Sequence, residues 1–64
     1  MKEEIDELYI YGIEVFNDEK DKFFRWLNKP NISLNNKKPL NLLNDNKGIK
    51  DVYNCLDRIN YGNF

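Results

Sequence analysis

The chain has 64 residues, a formal net charge of −1, one Cys and no His. A single core of this size gives a marginal fold, and neither an intrachain disulfide nor a Cys/His zinc site is available to reinforce it. Packing and association therefore remain as the sources of stability. Neither half of the chain is basic enough to predict an independent nucleic-acid-binding surface.

Residues 3–16 are predicted to form the first helix. Acidic residues crowd positions 3–7, where they complement the positive end of the helix dipole. Apolar residues then recur at helical spacing from Ile5 to Phe16. A strand is the rival interpretation, because residues 8–11 are rich in strand-favouring types. The acidic start and the lack of a hairpin turn before Asn17 favour the helix.

This first helix is apolar on more than one side. Ile10, Tyr11 and Ile13 lie off its main apolar stripe. A helix that is apolar all round must be covered on two sides. We therefore predict a homodimer, with Leu8, Ile10 and Ile13 as the dimerisation residues.

A second helix is predicted from residue 18 to residue 28. The Asn-Asp pair at positions 17–18 is expected to cap its start. Phe23, Trp26 and Leu27 follow at i, i+3 and i+4 and define its apolar face. Pro30 ends the helix shortly after Leu27, because it disfavours a helical conformation in the preceding residue.

Residues 31–38 are predicted to form a loop that places Ile32 and Leu34 in the core. Pro39 suits the first position of a helix, because it has no backbone N–H to leave unpaired. A short helix is therefore predicted over residues 39–43.

The last helix is predicted to begin after a cap by Asn44 or Asp45. Its apolar residues occupy positions 49, 52, 56 and 59, about one third of the circumference. Gly62 then provides a left-handed stop at the C-terminal end. Gly48 lies early in this helix, and we expect it to permit a close approach of the Pro39 turn.

These elements predict a single all-α domain over residues 1–64, a small bundle of three main helices plus one short helix. Large apolar residues at helical spacing are expected to bury one another. The predicted structural core comprises Phe16, Trp26, Leu27, Leu43, Val52, Leu56 and Ile59.

The sequence offers no constellation for catalysis, a metal or a cofactor. It has no His, no Gly-rich phosphate loop and no Ser with a plausible base. Cys55 lies in an apolar-periodic segment and is interpreted as a small buried hydrophobe. The lysines at positions 37, 38, 47 and 50 are interpreted as a solvated face, so no direct nucleic-acid binding is predicted. We therefore predict a protein that is not an enzyme.

The N-terminal sequence predicts a location in the cell. Met1 is followed by Lys-Glu-Glu and not by a long apolar run. Neither a signal peptide nor a membrane span is predicted, and we expect a cytoplasmic protein.

Residues 8–62 resemble the toxin-binding domain of Xre/MbcA/ParS-type bacterial antitoxins. Individually these residues are common types, but their order and spacing make a fairly specific pattern. The resemblance is carried by Phe16, the Trp26-Leu27 pair, Pro30-Asn31, Leu34, the Pro39-Leu40 pair, Leu43, Gly48, Val52, Leu56, Arg58, Ile59 and Gly62.

The resemblance implies an antitoxin that forms a dimer and inhibits a cognate RES-type toxin, an enzyme that consumes NAD or transfers its ADP-ribose. In such antitoxins the end of the last helix and the residues after it enter the toxin's active-site cleft. The corresponding residues here are Arg58, Asn60, Tyr61, Gly62, Asn63 and Phe64.

Longer family members carry an N-terminal helix-turn-helix module that binds their own promoter. Only about one helix precedes the segment of resemblance, so we expect this polypeptide to lack that module. It would then be either a short antitoxin or a shortened form of a longer protein. The alternative functions are a dimerisation module of a transcriptional regulator whose DNA-binding part is absent and an adaptor for an unrelated protein.

Overall fold

Three α-helices and two short 3-10 turns make up the computed structural model, which describes residues 2–62. Helix α1 spans Lys2–Val15, α2 spans Lys20–Leu27 and α3 spans Asn46–Asn60. The 3-10 turns, Ile32–Leu34 and Pro39–Leu42, lie between α2 and α3. The predicted all-α class with three main helices is confirmed, and no strand occurs among the described residues. The first 3-10 turn lies where the sequence predicted only a loop.

Helix α1 packs against both α2 and α3, and the Pro39–Leu42 turn packs against α2 and α3. Seven buried residues from these elements form one hydrophobic cluster. They are Leu8, Phe23, Leu27, Leu43, Ile49, Val52 and Leu56. Within residues 2–62, no helix is both long and apolar enough to cross a membrane.

The link between α1 and α2 is a left-handed turn. Asn17 and Asp18 have φ values of 58° and 63°. The Asp18 amide donates to the Ile13 carbonyl and the Asn17 amide to the Glu14 carbonyl, which are the paired bonds of a Schellman C-cap. The Asn-Asp pair therefore ends α1, and the prediction that it caps α2 is wrong. Asn and Asp tolerate the left-handed conformation that this turn requires.

Close backbone packing positions α3. Asp45 caps the helix by accepting a 2.7 Å hydrogen bond from the Gly48 amide, so Asp45, one of the two predicted candidates, is the cap. A Cβ atom on Gly48 would lie 1.7 Å from the Leu42 carbonyl oxygen. This confirms the prediction that Gly48 permits a close approach of the Pro39 turn. No larger residue fits here without moving backbone.

Candidate interaction surface

The C-terminal end of α3 is exposed while its middle is buried. Val52 and Leu56 are completely covered by the core, but Tyr61 is 72% exposed. The Tyr61 amide still donates to the Asp57 carbonyl at 2.9 Å, which continues the helical hydrogen bonding to this residue. Gly62 follows with a φ of 72°, the predicted left-handed stop. A rigid helix thus presents an aromatic side chain at its end.

Tyr11 connects this end of α3 to α1. The Tyr11 hydroxyl donates a 2.5 Å hydrogen bond to the Asp57 carboxylate, and its ring stacks on Tyr53 with centroids 5.9 Å apart. The Asn60 amide lies 3.5 Å from the Tyr11 oxygen and donates to it. The hydrogen bond to Asp57 is the main reason that the pKa of Tyr11 rises to about 12. Side chains from two helices therefore hold the last turn of α3 in place.

A groove of about 680 Å³ lies beside the end of α3. Apolar side chains from α2, α3 and the segment after α1 form much of its lining, and three polar residues complete it. The lining consists of Phe16, Trp26, Asn31, Ser33, Cys55, Arg58 and Ile59. An apolar groove with a few polar groups is the usual composition of a binding site in proteins.

Arg58 supplies the positive charge of this groove. Its side chain makes no ion pair within residues 2–62, where the ion pairs are Lys22–Glu19 and Lys47–Asp51. Cys55, which lines the same groove, is 7% exposed. Burial raises the pKa of its thiol, and the nearby Arg58 partly opposes that shift. Cys55 is therefore a buried, weakly reactive thiol, as the sequence predicted.

The residues that the sequence assigned to the core have different degrees of burial. Leu27, Leu43, Val52 and Leu56 are buried. Phe16 and Trp26 are half-buried and pack against the central cluster. Ile59 is also half-buried, and it lines the groove. Phe16, Trp26 and Ile59 thus lie between the core and the groove.

The structure corrects the predicted dimerisation face on α1. Leu8 is completely buried in the chain's own core, so it is not available to a partner. Ile13 is half-buried and packs against the same core. Only Ile10, 61% exposed, remains on the surface. On the second apolar side of α1, Tyr11 contacts Asp57 and Tyr53 of α3, whereas Ile10 stays exposed.

The predicted tail residues lie only partly within the described structure. Arg58, Asn60, Tyr61 and Gly62 lie together at the end of α3, and all four are exposed. Asn63 and Phe64 fall outside the described residues, so their predicted contact with a toxin stays a prediction.

Sequence reasoning placed Ile32 wrongly and missed the geometry of its loop. Ile32 is 87% exposed, whereas Leu34, also predicted to enter the core, is 8% exposed. Both were assigned inward because they are apolar, yet a 3-10 turn of three residues points them in different directions. The Asn-Asn pair at 35–36 was the available signal, because consecutive Asn residues favour left-handed turns. The contact between Tyr11 and Asp57 has no local sequence signal.

Two comparisons with known proteins agree on a family. The family described as "Antitoxin Xre/MbcA/ParS C-terminal toxin-binding domain" matches residues 12–62. Antitoxin Xre of Photorhabdus laumondii subsp. laumondii is 33% identical over 52 residues, which cover 81% of this chain and 35% of that protein. The chain therefore spans about a third of the length of this curated relative. No solved structure shows a significant match to the chain.

Proposed function

The chain belongs to the family of Xre/MbcA/ParS antitoxin C-terminal toxin-binding domains, and from this membership we propose that it is a non-enzymatic antitoxin that inhibits a RES-type toxin in the cytoplasm. It does so by direct protein contact, with the end of α3 and the residues after it in the toxin's active-site cleft. The observation that carries this proposal is the exposure of Tyr61 at the end of a helix whose middle is fully buried.

The geometry of α3 suits steric blockade. Tyr11 of α1 holds this end of α3 through its hydrogen bond to Asp57, so the end of the helix is ordered before a partner binds. A preorganised surface loses less conformational entropy on association than a flexible one. Tyr61 contributes an aromatic side chain, the type that most often dominates interface energetics. This end of the domain therefore has the rigidity and the contact chemistry of an occluding element.

The polar residues at this end fit a cleft that accepts a dinucleotide. A guanidinium such as that of Arg58 pairs well with carboxylates of a protein cleft because of its forked donors. Asn60 keeps only a long 3.5 Å contact to Tyr11 and is exposed, so its amide remains free to form further hydrogen bonds. We propose that Arg58 contacts acidic groups of the toxin and that Asn60 and Asn63 replace hydrogen bonds of the nucleotide.

The test removes residues 61–64 and measures NAD consumption by the purified pair, with the RES-type toxin that a pull-down with the full chain captures from the source cell as the probe. The truncated chain should keep its helical circular dichroism, because terminal residues contribute little to a core that they do not enter. Toxin activity should return even when the truncated antitoxin saturates the complex. Full inhibition by the truncated chain would show that residues 61–64 do not block the cleft.

A point substitution gives a matched control for the truncation. Tyr61→Ala removes an exposed aromatic at the end of α3, and Phe24→Ala removes an exposed aromatic on α2. We expect residual toxin activity at saturation with the first variant and complete inhibition with the second. Equal inhibition by both variants would contradict a specific role for Tyr61.

We also propose that the domain self-associates through the exposed part of α1. Ile10 is the one residue of the predicted dimer face whose side chain is mostly exposed. Acidic residues flank it on the same helix, so a homodimer would bring an apolar contact into an acidic surrounding. Self-association should then be strengthened by salt, which screens the repulsion between like charges.

A further inference from the structure

We propose that the loop over residues 31–37 and the adjoining groove form a second docking surface for the toxin, suited to an apolar side chain that lies next to a carboxylate. This inference rests on the proposed antitoxin function. It differs from the blockade by the end of α3, because it assigns affinity to the body of the domain and inhibition to the tail. Arg58 lies where the two surfaces meet, so Ile32 is the residue that tests the docking surface alone.

The loop is held in one conformation by its own hydrogen bonds. The Asn31 amide donates to the Lys37 carbonyl at 3.0 Å, and the Asn36 amide donates to the Asn31 carbonyl at 2.9 Å. The Asn31 side chain accepts a 2.9 Å hydrogen bond from the Ser33 amide. Buried Leu34 anchors the loop to the rest of the domain. The loop therefore has little conformational freedom left to lose on binding.

This ordered loop exposes an isoleucine to solvent. At 87%, Ile32 is the most exposed of the large hydrophobic residues in the part of the chain that the structure describes. Leu34, two residues later, is buried, so the loop holds one apolar side chain in solvent and the other in the core. The turn at Asn35 and Asn36, with φ values of 58° and 63°, reverses the chain after them. An ordered turn that holds an apolar side chain out in water is a suitable anchor for a partner's apolar surface.

The loop and the groove are parts of one surface. Asn31 and Ser33, which flank Ile32 in sequence, line the groove together with Phe16, Trp26 and Ile59. The half-buried side chains of Phe16 and Trp26 give it an aromatic wall, and their ring centroids lie 5.9 Å apart. Arg58 lies at the same groove, one helical turn before Tyr61. The groove therefore runs from the two residues that flank Ile32 to the end of α3.

Charge determines which kind of segment fits this surface. Arg58 is the charged residue among those that line the groove, and it has no ion pair within residues 2–62. A guanidinium beside apolar side chains attracts a carboxylate and repels a basic segment. A toxin segment with an apolar residue beside Asp or Glu places the apolar side chain in the groove and pairs its carboxylate with Arg58. A second copy of this chain, or a segment without a carboxylate, is the competing occupant that the experiment must exclude.

The experiment measures the dissociation constant of the purified cognate RES-type toxin for wild-type antitoxin and for variants. Ile32→Ser and Arg58→Gln should each weaken binding about tenfold, the effect of removing an interface anchor. Phe24→Ala and Lys47→Gln, which change an exposed apolar residue and an exposed cation elsewhere on the domain, should leave the affinity unchanged. Thermal melts establish that all four variants are folded.

Two further readouts separate this surface from a second copy and from the tail. Arg58→Gln should reduce the salt dependence of toxin binding, and sedimentation of the free antitoxin should be the same for Ile32→Ser and wild type. At saturating concentration, Ile32→Ser should still inhibit NAD consumption fully, unlike the chain without residues 61–64.

The results distinguish failure of the docking surface from failure of the proposed antitoxin function. If wild-type antitoxin neither binds nor inhibits the toxin, the proposed function is wrong and this inference fails with it. If wild type binds but Ile32→Ser binds equally well, the docking surface is wrong and the antitoxin function stands. Loss of self-association in Ile32→Ser would assign the surface to a second copy and overturn the toxin assignment.

Discussion

The Tyr11 hydroxyl on α1 donates a 2.5 Å hydrogen bond to the Asp57 carboxylate on α3, although the two residues are 46 positions apart. The ring of Tyr11 also stacks on Tyr53, one turn before Asp57. Asn60 contacts the same hydroxyl from the following turn. One side chain therefore joins the first helix to the part of α3 that leads to Tyr61, and it connects the stability of the bundle to the proposed inhibitory end.

Replacing Tyr11 with Phe should separate the hydrogen bond from the packing. Tyr11→Phe keeps the ring and its stack on Tyr53 but removes the donor, so we expect the free energy of unfolding to fall by about 1 kcal/mol. Urea denaturation measures this change. Tyr53→Phe is the control, because its hydroxyl makes no side-chain hydrogen bond in residues 2–62. Equal losses in the two variants would show that the Asp57 contact contributes nothing specific.

The same contact should make stability depend on pH at the alkaline end. The hydrogen bond to Asp57, with burial and the negative charge of Asp57, raises the pKa of Tyr11 from 10.0 to about 12. The folded state thus favours the neutral phenol. The stability that the neutral Tyr11 phenol contributes is fully present below pH 10, which is its pKa in the unfolded chain. This stability is lost as pH rises through about 12. The melting-temperature difference between wild type and Tyr11→Phe should therefore shrink from pH 9 to pH 12, and a constant difference would contradict this account.

Gly48→Ala should destabilise the domain even though Ala favours helices. The added methyl would lie 1.7 Å from the Leu42 carbonyl oxygen, which is backbone and cannot rotate away. We expect a loss of about 1–3 kcal/mol from overpacking, more than the gain of up to about 1 kcal/mol in helix propensity. Asn54→Ala, at an exposed position of α3, is the control and should change stability little. A more stable Gly48→Ala variant in thermal melts would show that the turn is free to move.

Phe23, and not Trp26, should be the side chain on which the core depends most. Phe23 is completely buried, and a Cβ on Gly12 would lie only 2.2 Å from its ring. Phe23→Ala should cost about 3–5 kcal/mol, and Trp26→Ala, which removes a half-buried side chain, about 2 kcal/mol. A 64-residue domain has only about 3–10 kcal/mol in total. Circular dichroism melts should show a cooperative transition for Trp26→Ala and a weak or absent one for Phe23→Ala, and the reverse order would refute this ranking.

Ile10→Lys should abolish self-association without unfolding the chain. The side chain is 61% exposed, so a charge there meets water in the monomer and is buried only in a dimer. Sedimentation velocity at micromolar concentration measures the change. Ile32→Lys places the same charge on a different exposed isoleucine and should leave the association state as in wild type. A wild-type chain that is monomeric at these concentrations would rule out the dimer.

Much of the helical architecture was predictable because its determinants are local. The acidic start of α1, the apolar spacing of α3, Pro39 at the start of a turn and Gly62 at a helix end each depend on residues within one or two turns of each other. The order and spacing of residues from Phe16 to Gly62 also indicated the antitoxin family, and the match over residues 12–62 agrees. Local signals failed at Asn17 and Asp18, because Asn and Asp occur both at the start of a helix and in the left-handed turn that ends one.

The surface was decided only by the tertiary structure. An apolar residue in sequence does not reveal whether it faces the core, a groove or solvent, and Leu8, Ile59 and Ile32 take these three places. The attachment of α1 to the end of α3 depended on Tyr11 reaching Asp57 across the bundle. Burial and long-range hydrogen bonds arise from the relative positions of helices, which residue spacing within one helix does not determine. The sequence by itself therefore determined the helices and the family, and packing decided which side chains remain available to a partner.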